Sequence, residues 1–156
     1  MRRVTIVTVD FPVTKDWVTA GKAIFTVYNG RGDHYTYQVK RKDNDDPVRP
    51  PGWFVSLLTG PDNYDDYTYL GCLNVGTGAI RLTRASRLPA NSKPVAVVNW
   101  ALRIVWVGGN FPSGYGIKGE GRCGRCGRKL THPDGVADDG YRRGFGPHCW
   151  AKVCGG

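Results

Sequence analysis

Four of the five cysteines stand at positions 123, 126, 149 and 154 of a 156-residue chain. In Cys123-Gly124-Arg125-Cys126-Gly127 two thiols lie two residues apart, a spacing at which both can grip one tetrahedral metal ion. Glycine after the second thiol lets the backbone turn and aim N–H groups at sulfur. Cys149 follows in Gly146-Pro147-His148-Cys149, where proline can open a helix and hold the thiolate near its positive end. A lone CxxC would also suit redox chemistry. Here a downstream cysteine pair, a basic setting and the absence of a βαβ frame point to zinc instead. The expectation is one structural Zn²⁺ per chain, bound by Cys123, Cys126, Cys149 and a fourth ligand.

Three residues compete for that fourth position. Cys154 would complete a four-cysteine site, and that set is the first expectation. It lies five residues after Cys149, about 140° around a helix, so both bind only from a short or bent helix. His132 comes from the intervening loop and is sterically free, whereas His148 is the direct neighbour of Cys149 and shares a metal with it awkwardly. Disulfides are a poorer account of these cysteines, because the chain reads as soluble and cytoplasmic, where thiols stay reduced. Cys72 stands alone in an apolar-aromatic strand and reads as a small buried hydrophobe.

The same tail is rich in cations. Formal charge is +9, with 14 basic and 9 acidic residues over 1–112 but 8 and 4 over 113–156. Arg122, Arg125, Arg128, Lys129, Arg142 and Arg143 surround the expected zinc, and metal-braced loops can present such cations to phosphates. Trp53, Tyr64, Tyr67 and Tyr69 could stack on bases, although Asp62, Asp65 and Asp66 interleave with them and repel phosphate. That mixture supports a second reading, in which Trp53, Asp62, Tyr64, Tyr67 and Tyr69 bind a host protein as an adaptor or inhibitor. An enzyme is not expected: the chain has no HExxH, P-loop or GxSxG and only three histidines. Neither a small-molecule substrate nor a membrane is expected as a partner, since no apolar run approaches the ~18 residues that a span requires.

These groups need elements to position them. Val4 to Val9 alternates like a strand. Residues 23–28 and 35–40 flank Asn29-Gly30-Arg31-Gly32-Asp33 and predict a hairpin, with the Arg-Gly-Asp tripeptide serving as turn residues. A proline-rich loop leads to a strand over 53–58, and a second hairpin joins 67–70 to 79–82 around Gly76-Thr77-Gly78. Residues 95–107 are nearly all apolar; Ser92 as cap, Pro94 in the first turn and Gly108-Gly109 at the end predict a helix packed on the sheet. Residues 108–121 read as a glycine-rich flexible linker; the GxGxxG at 114–119 lacks the helix that dinucleotide binding demands. The fold class is therefore α+β. A small antiparallel sheet domain with one packed helix (1–107) precedes the linker (108–121) and a zinc-knuckle, treble-clef-like module (122–156).

The run Cys123-Gly124-Arg125-Cys126-Gly127-Arg128-Lys129-Leu130-Thr131, then Pro133, then Gly144-Phe145-Gly146-Pro147-His148-Cys149, resembles a short zinc-binding domain of unknown function. That domain occurs in actinobacterial and bacteriophage proteins, with the pattern CxxCGRxLTxPxSxxxGxGPxC. The likeness covers about residues 122–151. His132 stands where that family often has Asp, and residues 138–143 lengthen its loop. Residues 53–63 and 67–71 also look like the region that precedes this domain in small phage proteins. The resemblance implies a phage setting and a non-enzymatic accessory role.

Overall fold

A computed structural model describes residues 6–8, 12–43, 51–61, 66–119, 123–125, 131–133 and 145. Its elements are β1 (Ile6–Thr8), α1 (Lys15–Val18), β2 (Lys22–Tyr28), β3 (His34–Lys42), β4 (Gly52–Leu58), β5 (Tyr67–Leu73), β6 (Ile80–Arg81), α2 (Lys93–Val107), β7 (Gly116–Gly119) and β8 (Thr131–Pro133). Six strands form one antiparallel sheet in the order β6-β5-β4-β3-β2-β7, and β1 pairs with β8 in a separate two-stranded sheet. The result is a curved, half-barrel α+β fold. Both expected hairpins form, β2 with β3 and β5 with β6.

Strand periodicity decides which face meets the helix. Phe25 lies opposite Tyr37 and Tyr37 opposite Leu57, while Ala23, Val39 and Val55 continue the same apolar rows. α2 covers this face with Val95, Val98, Ala101 and Leu102, a stripe at helical spacing. Polar bonds fix the helix along its length. The Tyr37 hydroxyl donates to Pro94 O (2.7 Å), Ile80 N donates to Asn99 Oδ1 (3.2 Å), and Trp106 Nε1 donates to Val75 O (2.8 Å). Gly108 closes the helix with φ 68°, and its N–H reaches Ile104 O and Val105 O. Ser92 occupies the N-cap, but its Oγ makes no capping bond and is buried without a partner among the described residues. Pro94 at the second helical position removes one of the two N–H groups from which a cap oxygen accepts.

The short α1 has no apolar repeat to announce it. Thr14 caps it by accepting from Trp17 N at 3.3 Å, and the single turn delivers Trp17 and Val18 into the core. The stretch 108–121 is not linker throughout. Gly116–Gly119 pairs with β2 as an edge strand, Ile117 opposite Val27. Gly116 lies opposite Tyr28, whose exposed ring covers it and would have to move aside for a Cβ there. On the sheet face away from α2, Thr26 and Thr36 share a 2.7 Å hydroxyl bond, and Ile24, Thr26 and Gln38 are buried. A register shift between Val55 and Ser56 bends β4 against β5. Among the described residues no helix is long and apolar enough to cross a membrane.

Candidate metal centre and its basic surroundings

The first half of the CxxC turn docks on the start of β2, backbone to backbone. Lys22 N donates to Gly124 O at 2.8 Å. A Cβ on Gly124 would stand 2.5 Å from Trp17 Cδ1, and one on Gly21 would stand 2.5 Å from the Arg125 carbonyl oxygen. Two glycines, one from each segment, are therefore what permit the approach. The seat carries Cys123 into the interior: it is a free thiol with no exposure, clustered with Trp17, Val18 and Phe25. Phe145, from the second half of the cysteine-rich region, is buried in the same cluster.

A buried thiol opening a tight Cys-Gly-Arg turn suits a metal ligand, because glycine leaves room for a Cβ-free approach and burial excludes competing water. Cys126, Cys149, Cys154 and His148 lie outside the described residues. His132 is the central residue of β8, opposite Val7 of β1, and so belongs to a strand instead of a loop. Among the described residues no three His, Cys, Asp or Glu side chains converge.

No protein-family model, curated protein or solved structure matches this chain.

Of the six tail cations, Arg125 is described, half-buried at the docked turn; Arg122, Arg128, Lys129, Arg142 and Arg143 lie outside the described residues. The surface it joins is basic in its own right. Lys22 lies directly opposite Lys40, and Lys40, Arg41 and Lys42 are all exposed at that end of β3. Gly21 O accepts from Arg41 N at 2.8 Å, so the segment that receives Arg125 also anchors the basic end of β3. Arg41 pairs with Asp43 at 3.0 Å on an exposed surface, which takes little of its charge from solution. This cationic end of the sheet was missed by a reading centred on the tail. The Lys40-Arg41-Lys42 run was the signal that could have found it.

The aromatic candidates are mostly occupied within the fold. Trp53 is half-buried, donates Nε1 to Thr19 O at 2.8 Å and carries the Arg41 guanidinium 5.4 Å above its ring. Tyr69 packs against Phe54 with centroids 6.0 Å apart, and its hydroxyl lies 3.4 Å from Cys72 Sγ and 3.2 Å from Thr83 Oγ1. Burial first, then the bond with the Cys72 thiol, pushes the Tyr69 phenol above its ordinary range. Cys72 is thus half-buried on the face away from α2, with a polar neighbour, and not an inert core hydrophobe. Tyr67 lies opposite Leu58. Asp62, Tyr64 and Asp65 fall outside the described residues, while Asp66 O accepts from Thr59 N at 2.8 Å in the turn before β5.

Proposed function

We propose that this chain is a non-enzymatic, zinc-braced accessory protein of phage type that associates with nucleic acid in the host cytoplasm. In this reading Cys123, Cys126, Cys149 and Cys154 hold a structural Zn²⁺, with His132 and His148 as the other candidates for the fourth position. Zinc would supply the stability that a short Gly- and Arg-rich segment cannot draw from an apolar core. The resemblance of residues 122–151 to a zinc-binding domain supports it. Arg122, Arg125, Arg128, Lys129, Arg142 and Arg143 make the phosphate contacts.

One observation carries the reading: the docked turn brings Arg125 to the same end of the sheet as Lys22, Lys40, Arg41 and Lys42. Two basic segments distant in sequence thereby merge into one surface, and concentrated positive potential is what draws a polyanion. Binding should be weak, largely independent of sequence, and steeply salt-dependent. The measurement is duplex affinity against salt, with a log–log slope near ~0.9 per phosphate neutralised. Arg125→Ala with Arg128→Ala should flatten it by about two units. If the protein binds neither DNA nor RNA at physiological salt, and instead retains a nuclease-resistant host protein through residues 62–69, the adaptor reading replaces this one.

A further inference from the structure

At the other end of β2 the molecule has a groove of about 650 Å³ between α2, the β2–β3 turn and the 112–115 turn. Pockets of roughly 300–1,000 Å³ are the size that small ligands occupy. Val27 and Val97 contribute apolar lining, and the two turns meet where Gly30 packs on Gly114. Two large side chains exposed among the described residues line it on the α2 side, Trp100 at 37% and Tyr115 at 49%, while Tyr28 turns its ring to the opposite face with Ile24 and Thr26. Such convergence of exposed rings marks a binding surface more than chance does.

The rings are set before any ligand arrives. Trp100 stands edge-to-face with Tyr115 at 5.7 Å and with Phe111 at 5.5 Å, so its indole is held from two sides. Trp53 and Trp106 give their indole N–H groups to backbone carbonyls, whereas that of Trp100 has no partner among the described residues. Charge at the groove is also uncommitted. Arg31 and Lys93 line it and neither forms an ion pair among the described residues. The one acid there, Asp33, accepts from Asn29 Nδ2 at 3.2 Å, and Asn29 Oδ1 in turn accepts from Arg31 N and Asp33 N. Those bonds fix the turn that presents Arg31.

We infer that this groove binds an unpaired nucleotide, its base stacked on one of the near-perpendicular rings of Trp100 and Tyr115 and edged by the other, and its phosphate met by Arg31 and Lys93. Stacking tolerates any base because every base has a π-face, and cations beside the rings select for the attached phosphate. The inference deepens the nucleic-acid reading and rests on it for the source of the nucleotide, a single strand in preference to a free monophosphate. Its side chains are separate from the basic end near the zinc turn, so the two can fail independently.

The test uses full-length protein labelled with ¹⁵N at tryptophan, with the Trp100 indole resonance identified by its loss in Trp100→Phe. Titration with a ten-residue oligothymidylate should move that resonance. Trp100→Ala and Tyr115→Ala should each weaken strand binding, and the ring that carries the stack should account for about 5- to 150-fold, the range for one stacked base. Arg31→Ala, on an exposed turn, should weaken it less and leave the fold intact. Adenosine monophosphate moving the resonance where the oligonucleotide does not bind would uphold the groove's chemistry and sink the strand reading. An oligonucleotide that responds to Arg125→Ala with Arg128→Ala but not to Trp100, Tyr115 or Arg31 changes would overturn the groove and leave the proposed function standing. A proline-rich peptide moving the resonance when nucleotides do not, or no movement with any probe, would also overturn it.

Discussion

The two ends of the β2–β3 hairpin differ in how tightly they are packed. At the Gly21–Lys22 end, contact is made by backbone on backbone, with side chains stripped from Gly21 and Gly124 so that Cys123 and Arg125 can settle onto β2. At the Asn29–Asp33 end, the turn is held by its own short-range bonds, Asn29 N to Asp33 O (3.0 Å) and the two bonds into Asn29 Oδ1, and its backbone contact is looser, since a Cβ on Gly30 would stand no closer than 3.4 Å to Gly114. The first end depends on a distant segment arriving in register, and it tolerates no added atom. The second is self-sufficient, so its rings and cations can be exchanged without dismantling the turn. Position is rigid where the metal is expected, and chemistry is adjustable where the groove lies.

The sharpest break in this comparison is removal of metal. Purified protein should carry one zinc by elemental analysis. Cys123→Ser, Cys126→Ser and Cys149→Ser should each lose it, while Cys72→Ser keeps it and changes stability by about 1 kcal/mol. Structural zinc is worth roughly 10–16 kcal/mol of apparent binding energy in small modules, so chelation should be severe. Because Cys123 and Phe145 share a cluster with Trp17 and Phe25, the damage should reach the sheet body as a lowered melting temperature. Metal-free protein with two intact disulfides under reducing handling would end the zinc reading. Cys154→Ser beside His132→Ala identifies the fourth ligand by which change releases metal.

A smaller effect comes from adding one methyl group at each end. Gly124→Ala would drive a Cβ into Trp17, an overpacking cost of about 1–3 kcal/mol, and should loosen zinc as well. Gly32→Ala meets nothing within 4 Å and suffers only from its φ of 86°, about 1–2 kcal/mol with zinc retained. Denaturant melts with parallel metal analysis separate the two. Equal zinc content in both variants would refute the asymmetry drawn above.

The smallest expected effect lies between the ends. Burial, and secondarily Tyr35, pushes Tyr37's phenol ionisation well above its ordinary range. A folded-state value raised above the unfolded ~10 gives stability that is whole below pH ~10 and is lost as pH rises beyond it. Tyr37→Phe should cost about 1 kcal/mol at pH 7 through the lost bond to Pro94 O, yet show a shallower decline between pH 9.5 and 11. Parallel declines in wild type and variant would count against this.

Hairpins, β4 and α2 were legible because alternation and helical spacing record which side chains meet a core. β7 was not. Its glycines look like a flexible tether, and what makes them a strand is pairing with β2, which is distant in sequence. α1 escaped because a single capped turn leaves no period, and the β1–β8 pairing because register over more than a hundred residues leaves no local trace. At the candidate site, the residue types and spacing of the CxxC were plain, but not the burial of Cys123 in one cluster with Trp17. Trp53 and Tyr69 read as exposed platforms because sequence does not disclose that Thr19 O, Thr83 and Cys72 already engage them.

The order of the main sheet has a consequence for how copies of this chain treat one another. Its border strands are β6, two residues long, and β7, four residues long and carrying Lys118. An exposed border is a template on which a foreign strand can add itself, and proteins suppress this by shortening the border and charging it. Both devices are present at these margins. The six-stranded sheet can therefore keep aromatic and β-branched residues in its interior strands at little risk of zipping onto a neighbour.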